Sequence, residues 1–267
     1  MKTLEFQRII WDFYKQKKRN FPWRETTNPY FIFISEVCLQ QTQTSRVIEK
    51  YQEIIQTFPT VELLGNAPFS EVLSVWSGLG YNRRAKYLHE AAKIIVEQYN
   101  GIFPQSIELL DELPGIGLNT AAAIVVYTYN IPHVFIETNI RRIFIHHFFS
   151  DRNDVSDSEI LPLVSETLDQ KNPREWFWAL MDYGSFLPKV VTNPNRKSKH
   201  YSKQSKFEGS IRQVRGSILK ILINENNIDE ETLKQKVVGD TRHFDTAVKS
   251  LIVEKMVVKK NSVFTLQ

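Results

Sequence analysis

Up to about Leu187 the apolar residues of this chain recur at helical spacing, and no stretch alternates with the period of two that a half-buried strand requires. That pattern restricts this part of the sequence to an all-α bundle. Residues 5–14, 30–41, 84–99, 120–127, 139–149 and 174–183 are the clearest helices, the third with Leu88, Ala91, Ala92 and Ile95 on one stripe. Pro22, Pro59, Pro68, Pro104, Pro114, Pro132 and Pro173 punctuate them as starts and stops. With 42% hydrophobic and 12% aromatic residues over 267 positions, there is enough apolar material for well-filled cores.

The texture changes between residues 189 and 209, where Asn, Pro and Ser are mixed with Lys189, Arg196, Lys197, Lys199, Lys203 and Lys206 and no acid precedes Glu208. This reads as a basic loop or linker. Beyond it, residues 212–222, 230–237 and 241–255 read as helices, and 256–266 as two short strands around Lys260-Asn261-Ser262, a winged-helix pattern. The expected organisation is therefore a helical domain over 1–188, a basic linker over 189–209 and a winged-helix-like domain over 210–267.

Formal charge is +4, a modest excess compatible with a polyanionic partner. The single cysteine, Cys38, excludes a disulfide within the chain, a cysteine-based zinc site and a four-cysteine iron–sulfur cluster. The six histidines show no paired spacing backed by acids, so no metal is expected; His146 and His147 are read as structural or DNA-facing. Without an apolar leader or a run of membrane-spanning length, the expected location is the cytoplasm, near the nucleoid and away from membranes.

Chemistry concentrates at three places. In Leu113-Pro114-Gly115-Ile116-Gly117, two glycines just before a helix let a ligand approach the backbone, and the free N–H groups of the helix start favour an anion such as a DNA phosphate. Glu137 follows Gly117 by 20 residues, at the start of another helix. Glu36 interrupts the apolar run Phe31-Ile32-Phe33-Ile34 and Val37-Cys38-Leu39, where burial would raise its pKa and keep it protonated as a general acid. On an exposed helix face the same glutamate would be an ordinary surface acid, and Glu137 would merely complement a helix dipole.

Several ordered blocks carry a resemblance: Phe21-Pro22-Trp23-Arg24, residues 35–43 (Ser35 to Gln43), Phe58-Pro59-Thr60-Val61, Trp76 to Tyr81, Leu113 to Gly117, and Asn139-Ile140-Arg141-Arg142. Residues 21–187 resemble the helix-hairpin-helix DNA glycosylases of the endonuclease III superfamily, most of all the MutY-type adenine glycosylases. The resemblance implies a helical bundle of two subdomains that extrudes a base from duplex DNA into a pocket. Gly115, Ile116 and Gly117 would grip the strand, and Gln40 and Tyr81 would fill the emptied stack, with Gln41 beside them. Glu36 would protonate N7 of a flipped adenine, and Glu137 would stabilise the cationic sugar of the transition state.

Three departures qualify it. Glu137 stands where the superfamily carries aspartate. Asn119 stands where bifunctional members place a Schiff-base lysine, which implies a monofunctional hydrolase that leaves an abasic site; Asn119 is left to contact the nucleotide or cap its helix. A stretch with no cysteine replaces the cluster loop expected after Met181-Asp182-Tyr183-Gly184, so no iron–sulfur cofactor is expected and Arg196, Lys197 and Lys199 are read as phosphate contacts. The C-terminal segment also differs from the lesion-reading domain of MutY-type enzymes. The expectation is a monomeric glycosylase acting on double-stranded DNA with a mispaired or damaged base, adenine first. Uracil or thymine mismatches, or a non-catalytic DNA-structure-binding role, are the alternatives.

Overall fold

The computed structural model describes residues 1–267 and is predominantly helical. In chain order the helices are α1 (Thr3–Lys17), α2 (Pro29–Leu39), α3 (Thr44–Thr57), α4 (Val61–Asn66), α5 (Phe69–Trp76), α6 (Arg83–Tyr99) and α7 (Ile107–Asp111). They continue with α8 (Leu118–Tyr129), α9 (Thr138–Phe148), α10 (Asp157–Thr167), α11 (Pro173–Phe186), α12 (Ile211–Asn224), α13 (Glu230–Lys236) and α14 (Phe244–Val253). Three short strands, β1 (Ile228–Asp229), β2 (Val257–Lys260) and β3 (Val263–Leu266), lie near the C-terminus.

The chain divides into two compact units, with one boundary inside α2. The first comprises Met1–Glu36, Pro104–Glu112 and Ile116–Lys203. Its core is aromatic: Phe6 packs on Phe144 at 5.1 Å, and Phe135 stacks on Phe177 at 4.0 Å, all four fully buried or nearly so. Gly184 lets α11 lie against the backbone of α9, since a Cβ there would sit 2.3 Å from the Asn139 carbonyl oxygen.

The second unit comprises Val37–Phe103, Leu113–Gly115 and Gln204–Gln267. Leu88, Ala91, Ala92 and Ile95 form the buried stripe of α6, as the spacing predicts. The C-terminal part of this unit is a winged helix: α12 buries Val214, Ile218, Leu219 and Leu222, and the sheet order is β1-β3-β2. The β2–β3 hairpin pairs Lys260 with Val263 across Asn261 and Ser262, both at positive φ (48° and 64°), the backbone that matches a tight turn to strand twist. Strand β1, at 2 residues, is too short to produce an alternation in the sequence. The helix read over 241–255 begins later, because Asp240 first caps a 3₁₀ turn over Thr241–His243.

The stretch read as a basic linker is more ordered than its composition suggests. Residues Pro194–Lys197 form a 3₁₀ turn, Val155 and Ser198 join in a parallel bridge, and Pro194, Asn195 and Ser198 are buried. Asparagine and proline account for this: Asn193 caps the turn through Asn195 N–H, and Pro194 supplies its first residue.

Candidate active site

In the first unit, Pro29–Leu39 folds as an almost entirely apolar helix, so Glu36 is carried inward and is only 8% exposed. Burial, followed by the negative charge of Glu137, raises its carboxyl pKa well above the ordinary value, opposed by the Arg24 guanidinium. Glu137 is partly exposed, at the N-cap of α9, where its side chain makes no capping hydrogen bond. Its pKa is also raised by burial, with Arg141 pulling the other way. Two acids that sense each other's charge titrate as a pair, and the more deeply buried Glu36 is the one whose protonated form its surroundings favour more.

The backbone carrying Glu137 is pinned on both sides. Asn119 Oδ1 accepts the Ile136 N–H at 3.1 Å, and Asn195 Nδ2 donates to the Thr138 carbonyl at 2.9 Å. Asn119 therefore caps no helix of its own; it is the second residue of α8, whose N-cap is Gly117. Asn195 comes from the stretch that composition alone marked as a charged loop.

Beside the two glutamates lies an arginine–aspartate clamp that sequence reading missed. Asp182 is 2% exposed and accepts from Arg19 N–H (3.0 Å), Arg19 Nε (2.6 Å) and both terminal nitrogens of Arg24 (2.9 Å each). The Arg24 guanidinium is also stacked over Phe21 at 5.0 Å and Trp178 at 5.5 Å. Tyr127 lies near the same pair of acids: burial, Glu36 and Glu137 all push its hydroxyl pKa up, and its ring stacks on Trp178. A signal existed in Met181-Asp182, where an acid follows the apolar run Trp176 to Met181 of α11, but nothing local named its partners.

The hairpin motif is built as its glycines demand. Gly115 has φ +76° and lies so close to Tyr87 that a Cβ would be 2.7 Å from the tyrosine Cβ. No atom lies within 4 Å of where a Cβ on Gly117 would be, so the start of α8 stays open to a ligand. Ile116 is buried at 4% and anchors the turn. Gln40 Nε2 donates to the Gly115 carbonyl at 3.1 Å, while Gln41 is exposed at φ 54°.

Tyr81, in the second unit, is 37% exposed and held at φ 48°, an uncommon backbone for a bulky residue. Arg84, another residue missed in the sequence, organises its loop from inside. It donates to the carbonyls of Val37, Cys38, Gln40, Leu79 and Gly80 and to the Thr42 hydroxyl. Its guanidinium lies 5.0 Å from the Trp76 ring centre and 5.5 Å from that of Tyr81.

Arg196 and Lys199 are exposed, whereas the Lys197 amine donates to the Ser150 carbonyl. His147 bonds the Tyr183 hydroxyl at 3.1 Å, and burial lowers its pKa to about 4, which makes it a neutral structural residue. The residues present do not fit an iron–sulfur cluster: four thiolates are needed, and Cys38 is buried in α2 with its thiol pushed up to about 12.

The chain matches the family described as "HhH-GPD superfamily base excision DNA repair protein" over residues 34–164. It is 35% identical over 192 residues to the adenine DNA glycosylase of Buchnera aphidicola subsp. Baizongia pistaciae, covering 70% of this chain and 54% of that protein. To the Mycobacterium tuberculosis adenine DNA glycosylase it is 30% identical over 276 residues, covering 92% of this chain and 88% of that protein. It thus spans about half of the first relative (54%) and most of the second (88%). The solved structure of a thermostable thymine-DNA glycosylase superposes with TM-score 0.65 at 24% identity, over 73% of this chain and 91% of that one. An endonuclease III–DNA covalent intermediate superposes at 0.58 with 19% identity, over 70% and 86% of the two chains. Near-complete coverage of a relative at this identity, joined to the hairpin motif and the paired acids, establishes that the chain belongs to the HhH-GPD superfamily of base excision DNA repair proteins.

Proposed function

We propose that this protein is a monofunctional DNA glycosylase that binds double-stranded DNA as a monomer and hydrolyses the N-glycosidic bond of a mispaired adenine. The observation that carries the reading is the pairing of Glu36 and Glu137 within range of each other's charge, the first buried with its carboxyl pKa raised and the second partly open to solvent. Relatives called adenine DNA glycosylases support adenine as the base.

In this mechanism Glu36 delivers its proton to N7 of the flipped adenine, which draws electrons from the glycosidic bond and makes the base a better leaving group. Glu137, ionised, stabilises the positive charge that grows on the sugar as the glycosidic C–N bond breaks and adenine leaves with the Glu36 proton; water then attacks the anomeric carbon and its released proton is taken up by a carboxylate of the pair. Glutamate is one methylene longer than aspartate; the two asparagine ties on residues 136 and 138 hold the backbone that sets its reach. Asn119 carries no nucleophilic amine, so no Schiff base forms with the sugar. The open start of α8, together with Arg196, Lys197 and Lys199, would take the phosphates, and no iron–sulfur cluster is required.

The test is base release from duplexes carrying adenine, uracil, thymine or hypoxanthine in every pairing context, with wild type and Glu137→Gln. Adenine should be released from a mispair, and the variant should be slower by about 10²- to 10³-fold, the range for losing one preorganised electrostatic group. Tight DNA binding with no base released by wild type overturns the reading in favour of a non-catalytic binding protein.

A further inference from the structure

Within the second unit, the winged helix touches the loop that carries Tyr81. Arg212 on α12 points one terminal nitrogen at the Tyr81 hydroxyl, 3.3 Å away. Its other terminal nitrogen donates to the Ser205 carbonyl at 2.7 Å, the Ser205 hydroxyl at 3.2 Å and the Lys206 carbonyl at 3.3 Å. Two residues beyond Tyr81, Arg83 pairs with Glu254 at 2.5 Å, and Glu254 is held in turn by Arg215 at 2.6 Å. The tyrosine is thus gripped at its tip by Arg212 and near its ring face by Arg84, while its backbone stays in the left-handed region.

A side chain that must replace a base in the stack loses its rotamer freedom on insertion, unless it is already held in place. We propose that the C-terminal winged helix serves the reaction through Arg212, a positioning residue that pre-sets the Tyr81 ring to enter the gap left by the extruded base. The inference rests on the functional reading above, because it requires a base to be flipped. By tying Ser205 and Lys206 to the same guanidinium, Arg212 also brings the stretch containing Lys206 alongside the tyrosine, so phosphate contact and insertion occur together.

The experiment compares wild type, Arg212→Ala, Tyr81→Phe and the double variant on a duplex with 2-aminopurine at the target position. Fluorescence reads extrusion, single-turnover release on the adenine duplex reads the chemical step, and titration reads affinity. Each single variant should lower extrusion and single-turnover release about five- to tenfold, the scale of a hydrogen bond to a charged group, with duplex affinity and melting temperature close to wild type. The double variant should be no worse than either single one, since both remove the same contact. Full multiplication of the two effects overturns the proposal. So does an Arg212→Ala phenotype confined to weaker binding with a shallower salt dependence, which would make Arg212 a plain phosphate contact. Tyr81→Phe deletes one buttressed hydroxyl and leaves the core untouched; wild-type extrusion in that variant overturns the proposal even where Arg212→Ala unfolds. A wild type that neither extrudes nor releases any base would instead sink the functional reading.

Discussion

Each unit is organised around a buried arginine stacked on aromatic rings, and the two are compensated in different ways. Arg24 meets a buried carboxylate, Asp182, in a bidentate pair. Arg84 meets only neutral oxygens, five carbonyls and one hydroxyl, and its Nε is buried with no hydrogen-bond partner. Desolvation lowers the Arg84 pKa, as expected for a cation balanced only by dipoles. Several of those carbonyls end α2, where the helix dipole is negative. The difference assigns two roles. A charge locked to a countercharge fixes the elements that carry the pair, whereas a charge solvated by loop carbonyls dictates how the loops fold around it.

The largest effect should come from removing the countercharge. Asp182→Ala leaves Arg24 and part of Arg19 buried without compensation, and should cost about 3–5 kcal/mol in chemical denaturation. A loss near zero would show that the packing around Arg24 does not depend on the pair. Next, Arg84→Met keeps much of the volume but abandons the carbonyl acceptors; a loss of about 2–3 kcal/mol is expected, with faster amide exchange in residues 77–82. Unchanged exchange there would remove the distinction between the two arginines. The smallest effect concerns pH. Because burial raises the Glu36 pKa above 4.5, the native state holds a proton that the unfolded chain has released. That stabilisation is complete below the unfolded value and fades as pH rises through the folded one. Glu36→Gln should therefore gain on wild type as pH rises above the ordinary carboxylate range, measured by urea unfolding across pH. A constant difference would mean that the carboxyl is not held protonated by its surroundings.

The same contrast explains what could be read from the residues alone. Helical spacing, the hairpin glycines, the Asn261-Ser262 turn and Glu36 within an apolar run are local patterns, and each carries its own physical consequence. Arg24 and Asp182 are 158 residues apart, and Arg84 reaches back 47 residues to Val37. Neither separation has a period to detect. The 189–209 stretch is a loop, as its composition predicts, but its lysines hide the structural work done by Asn193 and Asn195. An asparagine that caps a turn looks the same in sequence as one in a solvated loop. The acids were visible because a carboxylate among isoleucines and phenylalanines is conspicuous, and their mutual influence became visible only when α2 and the start of α9 were seen together.

The tie from Asn195 to the Thr138 carbonyl spans 57 residues. At synthesis rates of ~5–20 residues per second, roughly 3–11 s separate the emergence of Glu137 from that of its second anchor. A nascent chain in that interval already contains both acids and the glycine hairpin but not the asparagine that holds the Thr138 carbonyl, and a product truncated before residue 195 would hold every conspicuous motif and still lack the latch.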